Sequence, residues 1–145
     1  HAESIVSSLE KIYKSKGVLC EFEIDPKSQF SGELGDLQEL LGNFLENAFK
    51  WARQRVLLTV RPLYEPAAKR PGLFLCIEDD GAGIAPEDIS KILQRGVRGD
   101  ERVQGHGIGM AIVQDIIKSY HGELLVNRSE ELGGARFAIS LPCLF

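Results

Sequence analysis

Glu39, Asn43, Asn47 and Lys50 fall at helical spacing. At about 100° per residue they share an arc of about 80° on one side of a helix. Amide and carboxylate oxygens are hard ligands suited to Mg²⁺, and an amine one turn further on suits a phosphate. One such stripe, taken alone, is equally a solvated helix face. A second set follows at Asp79-Asp80-Gly81-Ala82-Gly83-Ile84. Glycines at alternate positions after a carboxylate let the backbone approach a flat ligand closely, and the aspartate can accept a hydrogen bond from an exocyclic amine. The plain alternative there is an acidic turn. A third set, Gly105-His106-Gly107-Ile108-Gly109, opens an apolar-periodic helix. Free N–H groups at a helix start attract an anion, and the helix dipole adds to the attraction. A flexible hinge would carry the same glycines. Between these sets, residues 94–105 hold Arg95, Arg98 and Arg102 and have the makings of a mobile loop with cationic reach.

The elements that must position these groups follow from periodicity. Leu37, Leu40, Leu41, Phe44, Leu45, Ala48 and Trp51 form an apolar stripe, which predicts a helix over 35–52. A shorter helix over 3–15 rests on Ile5, Leu9, Ile12 and Tyr13 and closes at Lys16-Gly17. Strands are expected over 18–24 and 55–61, with a short extended piece at 30–33. Residues 62–72, with three prolines, read as a loop. The run 73–79 is apolar almost throughout and should be a central strand. Pro86 starts a short helix over 87–93, a longer one follows over 108–120, and strands over 122–126 and 135–141 close the chain. Strands and helices mix without strict alternation, which predicts a two-layer α/β sandwich: about five strands in a mixed sheet, three main helices on one face. The helices over 35–52 and 108–120 should flank a cleft.

Composition narrows the classes. The chain of 145 residues reads as one domain, 1–145, large enough for a real core. Its net charge of −4 leaves no basic excess to neutralise phosphates and argues against a general nucleic-acid binder. Cys20, Cys76 and Cys143 are odd in number and lie in apolar, strand-like surroundings, so they read as reduced core thiols of a cytosolic setting. No long apolar run is present, so no direct membrane contact is expected of this chain. Because it starts at His1 and not Met, it is expected to be a fragment. A Rossmann fingerprint is disfavoured, since the spacing is G-x-G-x-G and no strand immediately precedes it; a Walker A sequence is absent.

Taken in order, the sets resemble the ATP-binding domain of the GHKL superfamily, and within it the catalytic domain of two-component sensor histidine kinases. Asn43-Phe-Leu-Glu-Asn47-Ala-Phe-Lys50 matches the N box, Asp79-Asp-Gly81-Ala-Gly83 the G1 box and Gly105-His-Gly107-Ile-Gly109 the G2 box. Gly133-Gly134-Ala135-Arg136-Phe137 matches the last glycine box. The opening, from Leu9 to Val18, and Ile77-Glu78-Asp79-Asp80-Gly81 look most like the PhoQ-type sensor kinases.

The resemblance implies a Bergerat-type ATP-binding fold, with ATP and Mg²⁺ as cofactors. Asn43 and Asn47 would hold the metal and Lys50 would touch the phosphates. Asp79 would take the adenine amino group, with Gly81, Gly83 and Ile84 beside the base. Residues 94–105 would be the ATP lid, mobile in the empty protein. From it Arg98, and less directly Arg95 or Arg102, would reach the terminal phosphate. Gly105, His106, Gly107, Ile108 and Gly109 would shape the hinge and contact phosphate. The sequence departs from the family at Ile92-Leu93, where a phenylalanine is usual, and at Met110 in place of a common leucine.

The implied reaction is transfer of the γ-phosphoryl group of ATP to a histidine, with Asn43, Lys50 and Arg98 as the catalytic set. His1, His106 and His121 lack the sequence context of a phosphoacceptor. The acceptor would lie on a dimerisation domain of the parent protein, which would pass phosphate to a response regulator. The parent would be a bacterial inner-membrane sensor kinase with this domain in the cytoplasm. A GHKL ATPase, a serine kinase of the anti-sigma type and a nucleotide-sensing module without chemistry remain the alternatives. In the ATPases a glutamate four residues before the metal-binding asparagine activates water, and here that position is Asn43. A neutral amide cannot serve as that base.

Overall fold

Alternation of apolar residues sets the sheet, and a computed structural model describes it over residues 2–30, 32–66, 70–89 and 110–143. In chain order the elements are α1 (Ala2–Ile12), a 3₁₀ turn (Lys14–Lys16), β1 (Leu19–Ile24), α2 (Leu34–Trp51), β2 (Arg55–Leu63) and β3 (Gly72–Asp79). They continue with α3 (Met110–Ser119), β4 (Glu123–Arg128) and β5 (Ala135–Leu141). Residues 86–89 are helical, as Pro86 at a helix start predicts; the rest of the helix expected over 87–93 lies outside the described residues.

The sheet order is β1-β2-β3-β5-β4. β1 runs parallel to β2, and the other three pairings are antiparallel. This is the expected mixed sheet, and a fully parallel doubly wound arrangement is excluded. The apolar run of β3 does mark the centre, with all eight residues buried. Residues of alternate register (Val56 and Leu58, Leu75 and Ile77, Phe137 and Ile139) face the helices and merge with α1, α2 and α3 into one core. The largest of these side chains, such as Phe44 and Phe137 with ring centroids 5.4 Å apart, are fully enclosed. Truncating one of them to Ala removes about 3–5 kcal/mol. On the opposite face Phe74, Cys76 and Ala138 form a thin apolar layer. The Arg61 guanidinium lies 4.5 Å from the Phe74 ring centroid, so a long cationic side chain shields that layer.

Four readings of the sequence are corrected. Phe49 is fully buried whereas Trp51 is 36% exposed. α2 is covered by α1 and the turn after it as well as by the sheet, which widens its buried arc to include Phe49, whose ring is tilted against that of Tyr13 with centroids 6.3 Å apart. Likewise Val6 is a core residue, while Ile12 faces solvent. Finally, β2 continues through Pro62 where a loop was expected. The Asp25 N–H bonds to the Val60 carbonyl, so Val60 and Pro62 turn their backbone polar groups toward β1. β1 ends opposite Val60, and proline loses no ladder bond there. Residues 30, 32 and 33 show no strand.

Tyr120, just past α3, ties the pole of the sandwich remote from Asp79. Its hydroxyl donates to Asp36 Oδ2 at 2.6 Å and accepts from the Glu33 N–H at 2.9 Å, which satisfies a donor at the start of α2. Cys20 and Cys76 are free thiols, and of the two only Cys76 is a core residue; burial, chiefly, pushes the Cys20 thiol up to about 12 and that of Cys76 up to about 11. Among the described residues no helix is long and apolar enough to cross a membrane.

Candidate active site

Two segments far apart in sequence meet at the ends of α2 and β3. The last turn of α2 exposes carbonyls, and Lys16 Nζ donates to those of Phe49 (3.1 Å) and Lys50 (2.6 Å). A cation at a helix C-terminus offsets the negative end of the dipole. Just beyond, Asp80 Oδ1 accepts from the N–H groups of Arg53 (2.7 Å) and Gln54 (3.1 Å) and so fixes the turn into β2. Burial raises the Asp80 carboxyl, but the N–H groups of Gln54, Arg55 and Arg53 outweigh it and hold the group below the usual carboxylate range. Gly81 then lies against the carbonyl of Trp51; any side chain at Gly81 would overlap that oxygen.

Asp79 sits at the floor of this junction, 2% exposed. Its Oδ1 accepts from the N–H groups of Gly81 (2.9 Å) and Ala135 (3.2 Å), and its carbonyl accepts from the Gly134 N–H (3.0 Å). Neither of these side-chain bonds uses Oδ2. Burial pushes the Asp79 carboxyl up, the N–H groups of Gly81 and Ala135 pull it down, Asp80 raises it and Lys16 lowers it; the balance is upward. Gly83 adopts φ +80°, a conformation that favours glycine and turns the chain back toward Gly134. Ile84 is half-buried and packs on the main core.

On α2, Asn43 Nδ2 donates to the Glu39 carbonyl (2.7 Å) and to Glu39 Oε1 (3.3 Å). Asn47 follows one turn later and is half-exposed, and Lys50 Nζ lies 5.9 Å from the Trp51 ring centroid. Two amide oxygens fit Mg²⁺, which keeps several waters and takes other oxygens from substrate phosphates.

The structure thus brings Asp79 and Gly81 to the C-terminal end of the helix that carries Asn43, Asn47 and Lys50. Arg95, Arg98, Gly105, His106, Gly107, Ile108 and Gly109, and the lid expected over 94–105, lie outside the described residues. Sequence reasoning gave no site role to Gly134, Ala135 or Trp51. The Gly-Gly pair directly before a strand was the available signal for the first two. Trp51 gave none, because its position on the apolar stripe reads as core.

A family model described as histidine kinase-, DNA gyrase B- and HSP90-like ATPase matches residues 32–144. The two-component sensor PhoQ of Pseudomonas aeruginosa is 41% identical over 139 residues, which is 94% of this chain and 29% of that protein. The sensor protein PhoQ of Escherichia coli K12 is 35% identical over 94% of this chain and 27% of its own length. The chain therefore spans less than a third of the curated relatives it matches. Among solved structures, the mycobacterial sensor histidine kinase MprB superposes with a TM-score of 0.72 at 27% identity, covering 97% of this chain and 92% of that one. The catalytic domain of histidine kinase ThkA gives a TM-score of 0.79 at 19% identity over 97% of this chain and 89% of that one, a likeness of fold alone. The G1 geometry around Asp79 and the match over 32–144 agree, and the chain belongs to the histidine kinase-, DNA gyrase B- and HSP90-like ATPase family.

Proposed function

We propose that this domain binds ATP with Mg²⁺ and transfers the γ-phosphoryl group to a histidine on a dimerisation domain of its parent, a membrane-anchored sensor kinase that feeds a response regulator. The observation that carries the reading is Asp79: a buried carboxylate whose Oδ1 is held by two backbone N–H groups, which leaves Oδ2 to accept from the adenine amine. Gly81, Gly83 and Ile84 border the base. Asn43 and Asn47 hold the metal through their amide oxygens. When bound, Mg²⁺ neutralises charge on the phosphates. Lys50 orients the phosphate chain, Arg98 acts on the terminal phosphate with Arg95 in support, and residues 105–109 contact phosphate through backbone N–H groups. Catalysis by these groups is positioning and charge neutralisation.

Calorimetry of ATP binding with and without Mg²⁺ tests the reading. The wild-type domain binds ATP, and binding tightens with the metal. Asn47→Ala keeps the metal-independent part and loses about tenfold of the metal-dependent gain, the worth of one good ligand contact to a charged group. Equal affinity of wild type and variant under both conditions would remove Asn47 from the site.

A further inference from the structure

β3 ends in two consecutive acids, and strand alternation sends them to opposite faces. Asp79 faces the helices. Glu78 faces the other way, yet it too is buried, at 8% exposure, and the nucleotide reading gives it nothing to do. Glu78 Oε1 accepts from Ser129 Oγ at 2.9 Å, with Arg136 Nε at 3.9 Å. Ser129 is fully enclosed, and all of its polar atoms shape the turn between β4 and β5. Oγ also accepts from the Leu132 N–H (3.0 Å), the Ser129 N–H donates to the Gly134 carbonyl (2.7 Å), and the Ser129 carbonyl accepts from the Gly133 N–H (2.8 Å). The same turn then presents the two amides, of Gly134 and Ala135, that hold the Asp79 carbonyl and Oδ1. One turn is therefore fastened to adjacent residues of β3 from both faces of the sheet.

From this arrangement we infer that the Ser129–Glu78 pair is a positioning device: it fixes where Asp79 Oδ2 points and so sets the preference for a 6-amino over a 6-oxo purine. The inference deepens the reading of Asp79 as base acceptor and rests on it. An apolar pair would fill the space behind β3 at no smaller stability, since burying a carboxylate is expensive. What a short hydrogen bond adds is a fixed distance and angle. A 6-amino group donates to Oδ2, whereas a 6-oxo group sets an acceptor against an acceptor. Discrimination of that kind is steep only while the carboxylate is held in place. If Ser129 is released from Glu78, the turn can shift and Asp79 can rotate to meet either base.

The test is calorimetry of Mg²⁺-ATP and Mg²⁺-ITP binding to wild type, Asp79→Asn, Ser129→Ala, Glu78→Ala and Glu78→Gln, each shown to be folded by circular dichroism. Wild type prefers ATP, and Asp79→Asn loses the preference. Ser129→Ala and Glu78→Ala shrink the ATP/ITP ratio about tenfold by weakening ATP while ITP changes little. Glu78→Gln restores the ratio, because its amide oxygen still accepts from Ser129. If Ser129→Ala fails to fold, the Glu78→Ala and Glu78→Gln pair decides alone. An unchanged ratio in Glu78→Ala, or equal weakening of both nucleotides, overturns the positioning role while leaving Asp79 as base acceptor. A wild type without preference, or an Asp79→Asn variant that keeps it, removes the reading of Asp79 and the inference with it.

Discussion

Asp79→Asn weakens ATP binding tenfold to a hundredfold, about 1.4–2.8 kcal/mol, and leaves the empty domain at least as stable as wild type. The two halves of this result have one cause. The amide oxygen of asparagine can still accept from Gly81 and Ala135, so the fold keeps its contacts. What disappears is a buried negative charge, which the base requires and the empty fold does not. The Asp79 carboxyl is raised in the folded protein, first by burial. A carboxyl with a raised folded pKa binds its proton more tightly when folded, so the stability tied to it is complete below the ordinary aspartate pKa and lost as pH rises through the raised value. At neutral pH the wild type therefore carries a destabilising charge that Asp79→Asn lacks. Binding runs the other way: acidification through the raised pKa protonates Asp79 and weakens ATP at a pH above that of an ordinary aspartate. Thermal melts and calorimetry across pH check both. A variant that lost stability and kept its affinity would place Asp79 in the scaffold and not in the site.

Gly134→Ala has the second large effect, and it damages fold and site together. A methyl group there would overlap Asp79 Oδ1 and the Asp79 carbonyl oxygen and stand 2.6 Å from the Gly81 N. Two of these three atoms are backbone, so no change of rotamer relieves the clash. Overpacking of this kind costs about 1–3 kcal/mol, and a domain of this size loses about 3 °C in Tm per kcal/mol. The displaced carboxylate should lower ATP affinity at least as much as Asp79→Asn does. Gly133→Ala is the control: Gly133 has open space around its Cβ position, and only its φ of +89° resists a side chain. It should cost stability of about 1–2 kcal/mol with little loss of affinity. Equal affinity losses in the two variants would show that the turn acts through general stability, not through contact with Asp79.

What the sequence made legible were patterns that repeat within one element. The unbroken apolar run of β3 gave its central place, and the helical stripe of α2 gave its length to within a residue at each end. The Asp-Gly-Gly spacing after β3 marked the carboxylate that the structure finds buried and gripped. Contacts between distant segments left no such trace. That α1 covers α2, so that Phe49 is buried and Trp51 partly exposed, depends on how two helices dock and not on the period of either. Pro62 was read as a loop because its tolerance in β2 depends on where β1 stops. Gly134 was visible as half of a glycine pair, but its contact with Asp79 is a pairing across 55 positions of chain, readable only when β5 lies beside β3.

We propose that this domain transfers phosphate to a histidine and does not hydrolyse ATP, because Asn43 stands where a hydrolase of this superfamily has its glutamate base. A histidine acceptor is itself a nucleophile near neutral pH and needs no such base. The direct measurement is incubation with γ-labelled ATP and Mg²⁺, alone and with a fragment carrying the dimerisation helices and their histidine, followed by acid treatment. The expected result is negligible free phosphate from the domain alone, and label on the added fragment that acid removes, as for a phosphoimidazole. Rapid release of free phosphate by the isolated domain, with no label on the fragment, would contradict it and assign the chain to the hydrolases.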